Sequence, residues 1–258
     1  MTERVARLRQ ASLDAAPWLT IERGRLLTEF YRQAPPLSAP LMRAGALAYI
    51  LERRTLHIGA GELIVGERGP APKSAPTYPE ICCHTLEDFQ VLHTREKIHY
   101  CVNSEARKVQ EEEIIPFWQG HSMRDRIFAE MTPAWKDAYE AGIFTEFMEQ
   151  RSPGHTVLGD VIYRKGLLDL QQEVDAALAR LDFLNDPQAY PKEQQLKAMR
   201  IAAGAVMRFA ERHADLAARM AAEEPDPRRR GELESHARGA RPFQREGECR
   251  APRARTSS

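Results

Sequence analysis

Apolar side chains recur every three or four positions over most of the chain, which is the spacing of a helix with one buried face. In the first such segment, residues 22–32, four large apolar side chains share a face, and Pro35 ends the helix because proline cannot continue it. The same pattern predicts further helices over residues 41–54, 104–118, 122–131 and 132–139, with Ser104 as an N-cap and Pro116 ending or kinking the helix that Ser104 begins.

Two longer apolar stripes follow, over residues 167–184 and 192–223. Each has a narrow apolar face and a charged back, so each helix is expected to lie on something larger. The rest of the chain offers no partner of matching size for these stripes. We therefore predict a mainly α structure that forms a helical layer of a larger protein, with a self-contained α-helical bundle as the alternative.

Extended structure is predicted only between the second and third helices. Residues 62–67 (ELIVGE) form a short β-branched run, which is typical of a strand. Four prolines between Gly69 and Pro79 restrict the residues before them, which favours an irregular, extended loop. The sequence thus predicts one strand and one rigid loop.

Charge and composition exclude several classes of function. The 37 Lys and Arg residues balance the 37 Asp and Glu residues, so net charge indicates neither a nucleic-acid nor a membrane partner. No apolar run approaches the roughly 20 residues that span a bilayer, and the first ten residues hold no signal-like segment. Four cysteines in 258 residues do not make a disulfide framework. We expect a soluble, cytoplasmic protein.

The charge is unevenly distributed along the chain. Residues 225–258 hold nine arginines, no lysine and five acidic residues, and their only large apolar side chains are Leu233 and Phe243. Such a segment buries too little surface to offset the entropy of ordering it. We predict a domain over residues 1–234 and a disordered, Arg-rich tail over residues 235–258. Without interleaved aromatic residues, the tail does not indicate nucleic-acid binding.

Residues 144–160 (FTEFMEQRSPGHTVLGD) hold the main group of candidate catalytic side chains: two glutamates, one arginine, one histidine and one aspartate. Pro153 and Gly154 are a turn signal that places His155 on a loop beside carboxylates. A histidine there is a candidate general acid or base because its ordinary pKa, about 6.5, lies close to neutral pH. A structural histidine is the alternative that the spacing leaves open.

A second polar cluster covers residues 78–85 (YPEICCHT). Cys82, Cys83 and His84 lack the paired CxxC spacing of a zinc site, so we predict no metal and treat the cysteines as small buried side chains. The nucleotide-binding, hydrolase and metalloprotease motifs GxGxxG, GxxxxGK[ST], GxSxG and HExxH are also absent, and no bound cofactor is predicted.

Three segments together resemble the amino-terminal part of glycyl radical enzymes of the pyruvate formate-lyase-like group. They are residues 61–85 (GELIVGERGPAPKSAPTYPEICCHT), 112–118 (EEIIPFW) and 139–166 (YEAGIFTEFMEQRSPGHTVLGDVIYRKG). Their order and spacing match the family, and the resemblance runs from about Arg4 to about Leu233. It implies that the chain is the helical amino-terminal layer of a ten-stranded β/α barrel whose strands are mostly absent from these 258 residues.

The resemblance also implies a site. Phe147 and His155 match two positions of the family that reach the active-site cavity and help select the substrate. Phenylalanine and histidine occupy them in members that dehydrate hydroxyproline, whereas choline-cleaving members have tyrosine and aspartate. Phe147 would offer an apolar face to a pyrrolidine ring, and a protonated His155 would donate to the departing hydroxyl. The alternatives are a fragment of an isethionate-, diol- or glycerol-cleaving lyase, and a non-catalytic remnant or helical interaction module.

The radical-bearing loops of the family are missing from the sequence. The family uses a thiyl cysteine in a Gly-Cys-x-Glu loop and a glycyl radical in an Arg-Val-x-Gly-Tyr loop, and neither motif occurs here. Cys249 lies in GECRAP within the tail and is no substitute. We expect this chain alone to be inactive, and the abrupt end of the resemblance after Glu234 predicts a frameshift or a truncated reading frame. Intact members are expected to form homodimers and to need a radical S-adenosylmethionine activating enzyme.

Overall fold

The computed structural model describes residues 1–143 and 159–239, and most of these are helical, as predicted. The α-helices are α1 (Glu3–Asp14), α2 (Glu22–Gln33), α3 (Ala39–Arg53), α4 (Leu86–Thr94), α5 (Ser104–Val109), α6 (Ile115–Trp118), α7 (Met123–Glu130), α8 (Pro133–Glu140), α9 (Leu167–Ala179), α10 (Ala189–Glu223) and α11 (Pro227–Gly239). Two short strands, β1 (Trp18–Thr20) and β2 (Ser74–Pro76), complete the regular structure together with a π-helical turn (Gln110–Ile114) and a 3₁₀ helix (Gly159–Tyr163).

The chain divides into two compact units. The first unit consists of Met1–Glu29 and Val65–His155, and the second unit consists of Phe30–Ile64 and Thr156–Ser258. The division falls within α2. Each unit has its own arrangement of helices.

The first unit is organised around a parallel pair of strands. β1 lies beside β2 with Trp18 opposite Ser74, and the backbone N–H of Leu19 donates to the carbonyl of Cys101 at 2.9 Å. Leu19 points into a buried cluster beside α4 and α5, whose other members are Phe89, Val102 and Ala106. The sheet thus joins three distant parts of the chain in one small core.

The predicted strand over residues 62–67 is wrong, because these residues form no strand. Leu63 and Ile64 are instead 53% and 88% exposed. The strand forms at Ser74–Pro76, inside the proline-rich segment that we expected to be irregular. A β-branched run becomes a strand only where a partner backbone is available, and β1 provides that partner to residues 74–76.

The helix predicted over residues 104–118 is interrupted. α5 runs into a π-helical turn, Gln110–Ile114, before α6 continues to Trp118. Pro116 lies in the first turn of α6, where its missing N–H costs least. The N-cap is Asn103 rather than the predicted Ser104, because the Asn103 side chain accepts from the backbone N–H of Ala106 at 2.7 Å.

The second unit is built around α10, which packs against α3, α9 and α11. Small residues form most of the buried face of α10, so its neighbours approach closely; the buried residues are Ala189, Ala198, Ala205, Met207, Ala214, Ala217 and Ala221. Arg212 donates to the carbonyls of Leu51 and Arg54 at 2.5 and 2.9 Å. These carbonyls belong to the end of α3, so Arg212 supplies the donors that a helix C-terminus lacks.

Two helix ends differ from the prediction. The stripe expected to stay helical through Leu184 ends at Ala179, because Asp182 accepts hydrogen bonds from the backbone of the next turn. α11 continues to Gly239, beyond the predicted boundary at Glu234, and buries Leu233. The rest of the predicted tail, residues 240–258 with Cys249, lies outside the described residues. α1 and α4 were not predicted.

Candidate functional site

Phe147 and His155, the two residues predicted to contact a substrate, lie outside the described residues. The described chain reaches their segment through α8 and resumes with the 3₁₀ helix at Gly159. The contacts that hold α8, and the polar residues 78–85 singled out in the sequence, both belong to the first unit.

An ion pair anchors residues 78–85, here called the polar segment. Arg23 of α2 forms a two-pronged contact with the carboxylate of Glu80, with N–O distances of 2.5 and 3.1 Å. The same guanidinium donates to the Thr77 carbonyl at 3.1 Å and lies 4.0 Å from the Tyr78 ring centroid. Arg23 and Glu80 are about one quarter exposed, so water screens the pair only in part. Arg23 therefore fixes the start of the polar segment against α2.

Gly24 permits this close approach. A Cβ atom at position 24 would lie 2.5 Å from the hydroxyl oxygen of Thr77 and 3.2 Å from Ile114. Any larger residue would push α2 away from the chain that enters the polar segment. The glycine inside α2 is therefore required by packing, although it weakens the isolated helix.

The polar segment also holds the start of α7. The backbone N–H groups of Met123 and Arg124 donate to the carbonyls of Glu80 and Ile81 at 2.9 and 3.0 Å. These are among the first N–H groups of a helix, which have no acceptor within the helix itself. Ser122 and Asp125 complete the helix start with a capping box.

Arg124 connects α7 to α8. Its guanidinium lies 4.6 Å from the ring centroid of Phe128 and donates to the Tyr139 hydroxyl at 3.4 Å. The Phe128 and Tyr139 rings are perpendicular, with centroids 5.0 Å apart, which is a favourable aromatic geometry. Tyr139 lies in the last turn of α8, so these contacts tie the chain that precedes residues 144–158 to α7 and the polar segment.

The π-helical turn holds the other end of the polar segment. The Gln110 side chain is 2% exposed, and its amide nitrogen donates to the His84 carbonyl at 2.5 Å and lies 4.0 Å from the Cys83 sulfur. Burial, assisted by the negative charge of Asp125, raises the pKa of the Cys83 thiol to about 12. The raised pKa keeps the Cys83 thiol protonated at neutral pH, which makes it a weak nucleophile.

Cys82 and Cys83 are half-buried rather than the fully buried side chains that we expected. Within residues 1–143 and 159–239, no three His, Cys, Asp or Glu side chains are grouped so that they could hold a metal ion. No helix in this part of the chain is long and apolar enough to cross a membrane. Through Arg23, the carbonyls of Glu80 and Ile81, and Gln110, the polar segment joins α2, α7 and the π-helical turn.

The residues that build this junction belong to no recognisable sequence motif; they are Arg23, Thr28, Gln110 and Trp118. The Trp118 indole N–H donates to the Thr28 hydroxyl at 2.8 Å, and Thr28 in turn donates to the Gly24 carbonyl at 2.7 Å. One signal was present, since Gly24 and Thr28 lie one helical turn apart on the same face as Leu27. Small and polar residues on an apolar face indicate a close approach by another polar group.

Comparison with known proteins gives a consistent result. The sequence profile of the family described as pyruvate formate lyase-like matches residues 1–241. Trans-4-hydroxy-L-proline dehydratase of Clostridioides difficile is 52% identical over 232 residues, which cover 90% of this chain and 29% of that enzyme. Isethionate sulfite-lyase of Nitratidesulfovibrio vulgaris is 29% identical over 245 residues, covering 91% of this chain and 30% of the lyase.

Solved structures of related enzymes show the same similarity. The crystal structure of hydroxyproline dehydratase from Clostridioides difficile with trans-4-hydroxy-L-proline bound superposes with a TM-score of 0.88 at 50% identity, covering 93% of this chain and 30% of that one. The glycerol-bound B12-independent glycerol dehydratase of Clostridium butyricum superposes with a TM-score of 0.86 at 26% identity, covering 96% and 32%. The chain therefore spans about 30% of the length of the relatives that it matches.

Proposed function

The chain belongs to the pyruvate formate lyase-like family, and from this we propose that it is the amino-terminal portion of a glycyl radical lyase that removes water from trans-4-hydroxy-L-proline. The observation that carries the proposal is the 52% identity to a dehydratase of this substrate. Relatives with other substrates, such as the isethionate sulfite-lyase at 29% and the 3-sulfopropanediol dehydratase at 30%, are far less similar over the same region. Residues 1–234 form the family portion in this proposal, and residues 235–258 form a tail.

Phe147 and His155 are the proposed substrate-selecting residues. The flat, apolar face of Phe147 suits a pyrrolidine ring, and a protonated His155 suits a hydroxyl that leaves as water, because the imidazolium can donate the proton that the leaving group needs. These roles rest on the sequence match to the family.

The radical step is proposed to require two loops whose motifs the 258 residues do not contain. A glycyl radical and a thiyl cysteine supply hydrogen abstraction from the substrate in the family, and the 258 residues contain neither loop motif. Within this proposal the present residues bind and orient the substrate and donate to its leaving group. An activating radical S-adenosylmethionine enzyme, homodimer formation and a cytoplasmic location belong to the same proposal.

A chimaeric enzyme tests the assignment. Residues 1–234 of this chain would replace the matching region of the Clostridioides difficile dehydratase, and hydroxyproline turnover would be measured without oxygen after activation. We expect turnover by the chimaera, because 52% identity and a shared backbone keep the interface with the remainder. His155→Ala should slow turnover by roughly 10² to 10⁴ while leaving the glycyl radical signal unchanged, since loss of a positioned acid has an effect of that size.

Two further variants, Phe147→Ala and His121→Ala, serve as controls for His155→Ala. Phe147→Ala should mainly raise KM through the lost ring contact, whereas His155→Ala should mainly lower kcat. His121→Ala, a matched change at an exposed histidine of the first unit, should leave both constants unchanged. A chimaera that ignores hydroxyproline but cleaves isethionate or a diol would refute the substrate, and loss of the radical signal in His155→Ala would indicate a structural role.

A further inference from the structure

Cys101 pairs with β1 at one edge of the small sheet in the first unit. Its backbone N–H donates to the Pro17 carbonyl, and its own carbonyl accepts from the Leu19 N–H, both at 2.9 Å. Successive residues of an extended segment direct their backbone groups to opposite sides, so the N–H groups of the two neighbours of Cys101 face away from β1. We call residues 100–102 the edge segment.

The end of α4 supplies the acceptors for these two N–H groups. The Leu92 carbonyl accepts from the Tyr100 N–H at 2.9 Å, and Nδ1 of the His93 ring accepts from the Val102 N–H at 3.1 Å. Val102 is 6% exposed and belongs to the buried cluster of the first unit, so its N–H is largely shielded from water. In the described part of the chain, this N–H is the only polar partner of the His93 side chain. His93 therefore completes the hydrogen bonding of the edge segment with a side chain, where a larger sheet would use a further strand.

The hydrogen bond to Val102 requires a neutral His93. A neutral imidazole has one bare nitrogen that accepts, whereas the charged ring carries a proton on both nitrogens. Protonation of Nδ1 would place two donors against each other and leave the shielded Val102 N–H without an acceptor, which is unfavourable. Because a histidine changes its charge between about pH 5 and 8, this bond can be made and broken near neutral pH.

The charges of the surrounding elements do not supply a substitute for this bond. Arg107 of α5 donates to the Gln90 side chain, one turn before His93, at 2.8 Å, and Arg95 follows α4 and donates to the Ile98 carbonyl at 2.7 Å. β1 carries no charged side chain. The last carbonyls of α4 attract a positive ring toward the helix end and away from Val102. The other charged or titratable side chains of α4, α5 and the loop between α4 and the edge segment are exposed, so water screens them; they are Glu87, Asp88, Glu96, Lys97, His99, Glu105 and Lys108.

We propose that His93 is a proton-sensitive latch, which holds the edge segment to the end of α4 when neutral and releases it when protonated. Release frees Val102 from α4, while Cys101 stays paired with β1. Because only the open latch takes up the proton, the latch is closed above about pH 6.5 and opens progressively as the pH falls below it. The proposal uses contacts made inside the first unit and does not depend on the proposed lyase activity.

Amide hydrogen exchange of Val102 in the full 258-residue chain, followed by NMR at about pH 7.5 and pH 5.5, tests the proposal. Rates are expressed as protection factors, which removes the intrinsic dependence of amide exchange on pH. A solvated histidine is half-protonated near about pH 6.5, so the open latch should be about tenfold more populated at pH 5.5 than at pH 7.5. The Val102 protection factor should fall by about that amount, whereas the Leu19 amide, bound to Cys101 on the β1 side, should keep its protection.

Two substitutions at position 93 separate the acceptor from the proton. His93→Asn places a carbonyl oxygen where Nδ1 lies, and this oxygen accepts but does not titrate, so Val102 should stay protected at both pH values. His93→Ala removes the acceptor, so Val102 protection should be at least about tenfold lower than in the wild type at pH 7.5 and should not fall further at pH 5.5. His99→Asn is the matched control, because His99 is an exposed histidine of the loop that follows α4, and its profile should match the wild type.

Four outcomes would overturn the latch. The first is a wild-type Val102 protection factor that is the same at both pH values. The second is a fall with pH that persists in His93→Asn, since another group would then be titrating. The third is an equal loss of protection at Leu19 and Val102, which would show unfolding of the whole first unit rather than release of the edge segment. The fourth is wild-type protection of Val102 in His93→Ala at pH 7.5, which would exclude the ring as the acceptor.

Discussion

Thr28→Val should destabilise the first unit although it changes almost no volume. The Thr28 hydroxyl accepts from the Trp118 indole N–H at 2.8 Å and donates to the Gly24 carbonyl at 2.7 Å. Both side chains are buried, with Thr28 1% and Trp118 5% exposed. Valine has nearly the same shape, so packing is kept and only the hydrogen bonds are lost.

The expected loss of stability comes from the Trp118 indole N–H, which loses the Thr28 hydroxyl as its acceptor. Removing one partner of a buried hydrogen bond leaves the other partner desolvated, which costs about 1–3 kcal/mol. The Gly24 carbonyl keeps its helical hydrogen bond with the backbone of residue 28, so its loss adds little. We therefore expect the free energy of unfolding to fall by about 1–3 kcal/mol.

Urea unfolding monitored by tryptophan fluorescence measures this loss. Thr94→Val is the matched control, because the Thr94 hydroxyl also donates to a carbonyl four residues earlier but is exposed. That control should change stability by less than about 0.5 kcal/mol. Trp118→Phe in the Thr28→Val background should cost less than in the wild type, since the indole N–H is then already without this acceptor. Equal losses in Thr28→Val and Thr94→Val would refute the argument.

Burial lowers the pKa of His213 below its ordinary 6.5, so the neutral imidazole contributes stability above pH 6.5 that is lost as the pH falls. The urea concentration at the unfolding midpoint should therefore decrease between about pH 7.5 and pH 5.5. The decrease should be smaller in His213→Gln, which has no group that titrates at this position. Cys83, with its raised pKa, should react with a maleimide more slowly than the exposed Cys101, as mass spectrometry of peptides can follow. Incubated without oxygen with an activating enzyme, this chain alone should give no glycyl radical signal by electron paramagnetic resonance, because it contains no glycyl loop. The purified chain should also bind a hydrophobic dye, since side chains such as Ile64 and Leu184 are exposed; a chain that binds none would contradict this.

Helices with local signals were predicted well. Thr132 before Pro133 marks the start of α8, and Ser122 marks the start of α7, because a cap and a helix-compatible proline act within one turn of the chain. α9 was predicted too long because its apolar spacing continues past Ala179. The side chain of Asp182 competes there with the helix, and spacing alone does not reveal that competition.

Features that depend on distant partners could not be predicted. The strand at Ser74–Pro76 exists because β1 lies beside it, and Glu80 is held by Arg23 from 57 positions away. Phe147 and His155 come from the family resemblance alone and stay a prediction, since both lie outside the described residues. The junction at residues 78–85 is built from Arg23, Gln110 and Trp118, and no short motif contains them.

The π-helical turn has a consequence for how the chain tolerates insertions and deletions. A π-helical turn is an α-helix with one residue added, and each residue of a helix turns the following side chains by about 100°. Deleting one residue between Gln110 and Ile114 would restore a regular helix but rotate Trp118 by that angle, away from Thr28. Gln110 and Trp118 can therefore face their separate partners only because of this extra residue. The length of the segment between them is as constrained as the identity of either side chain.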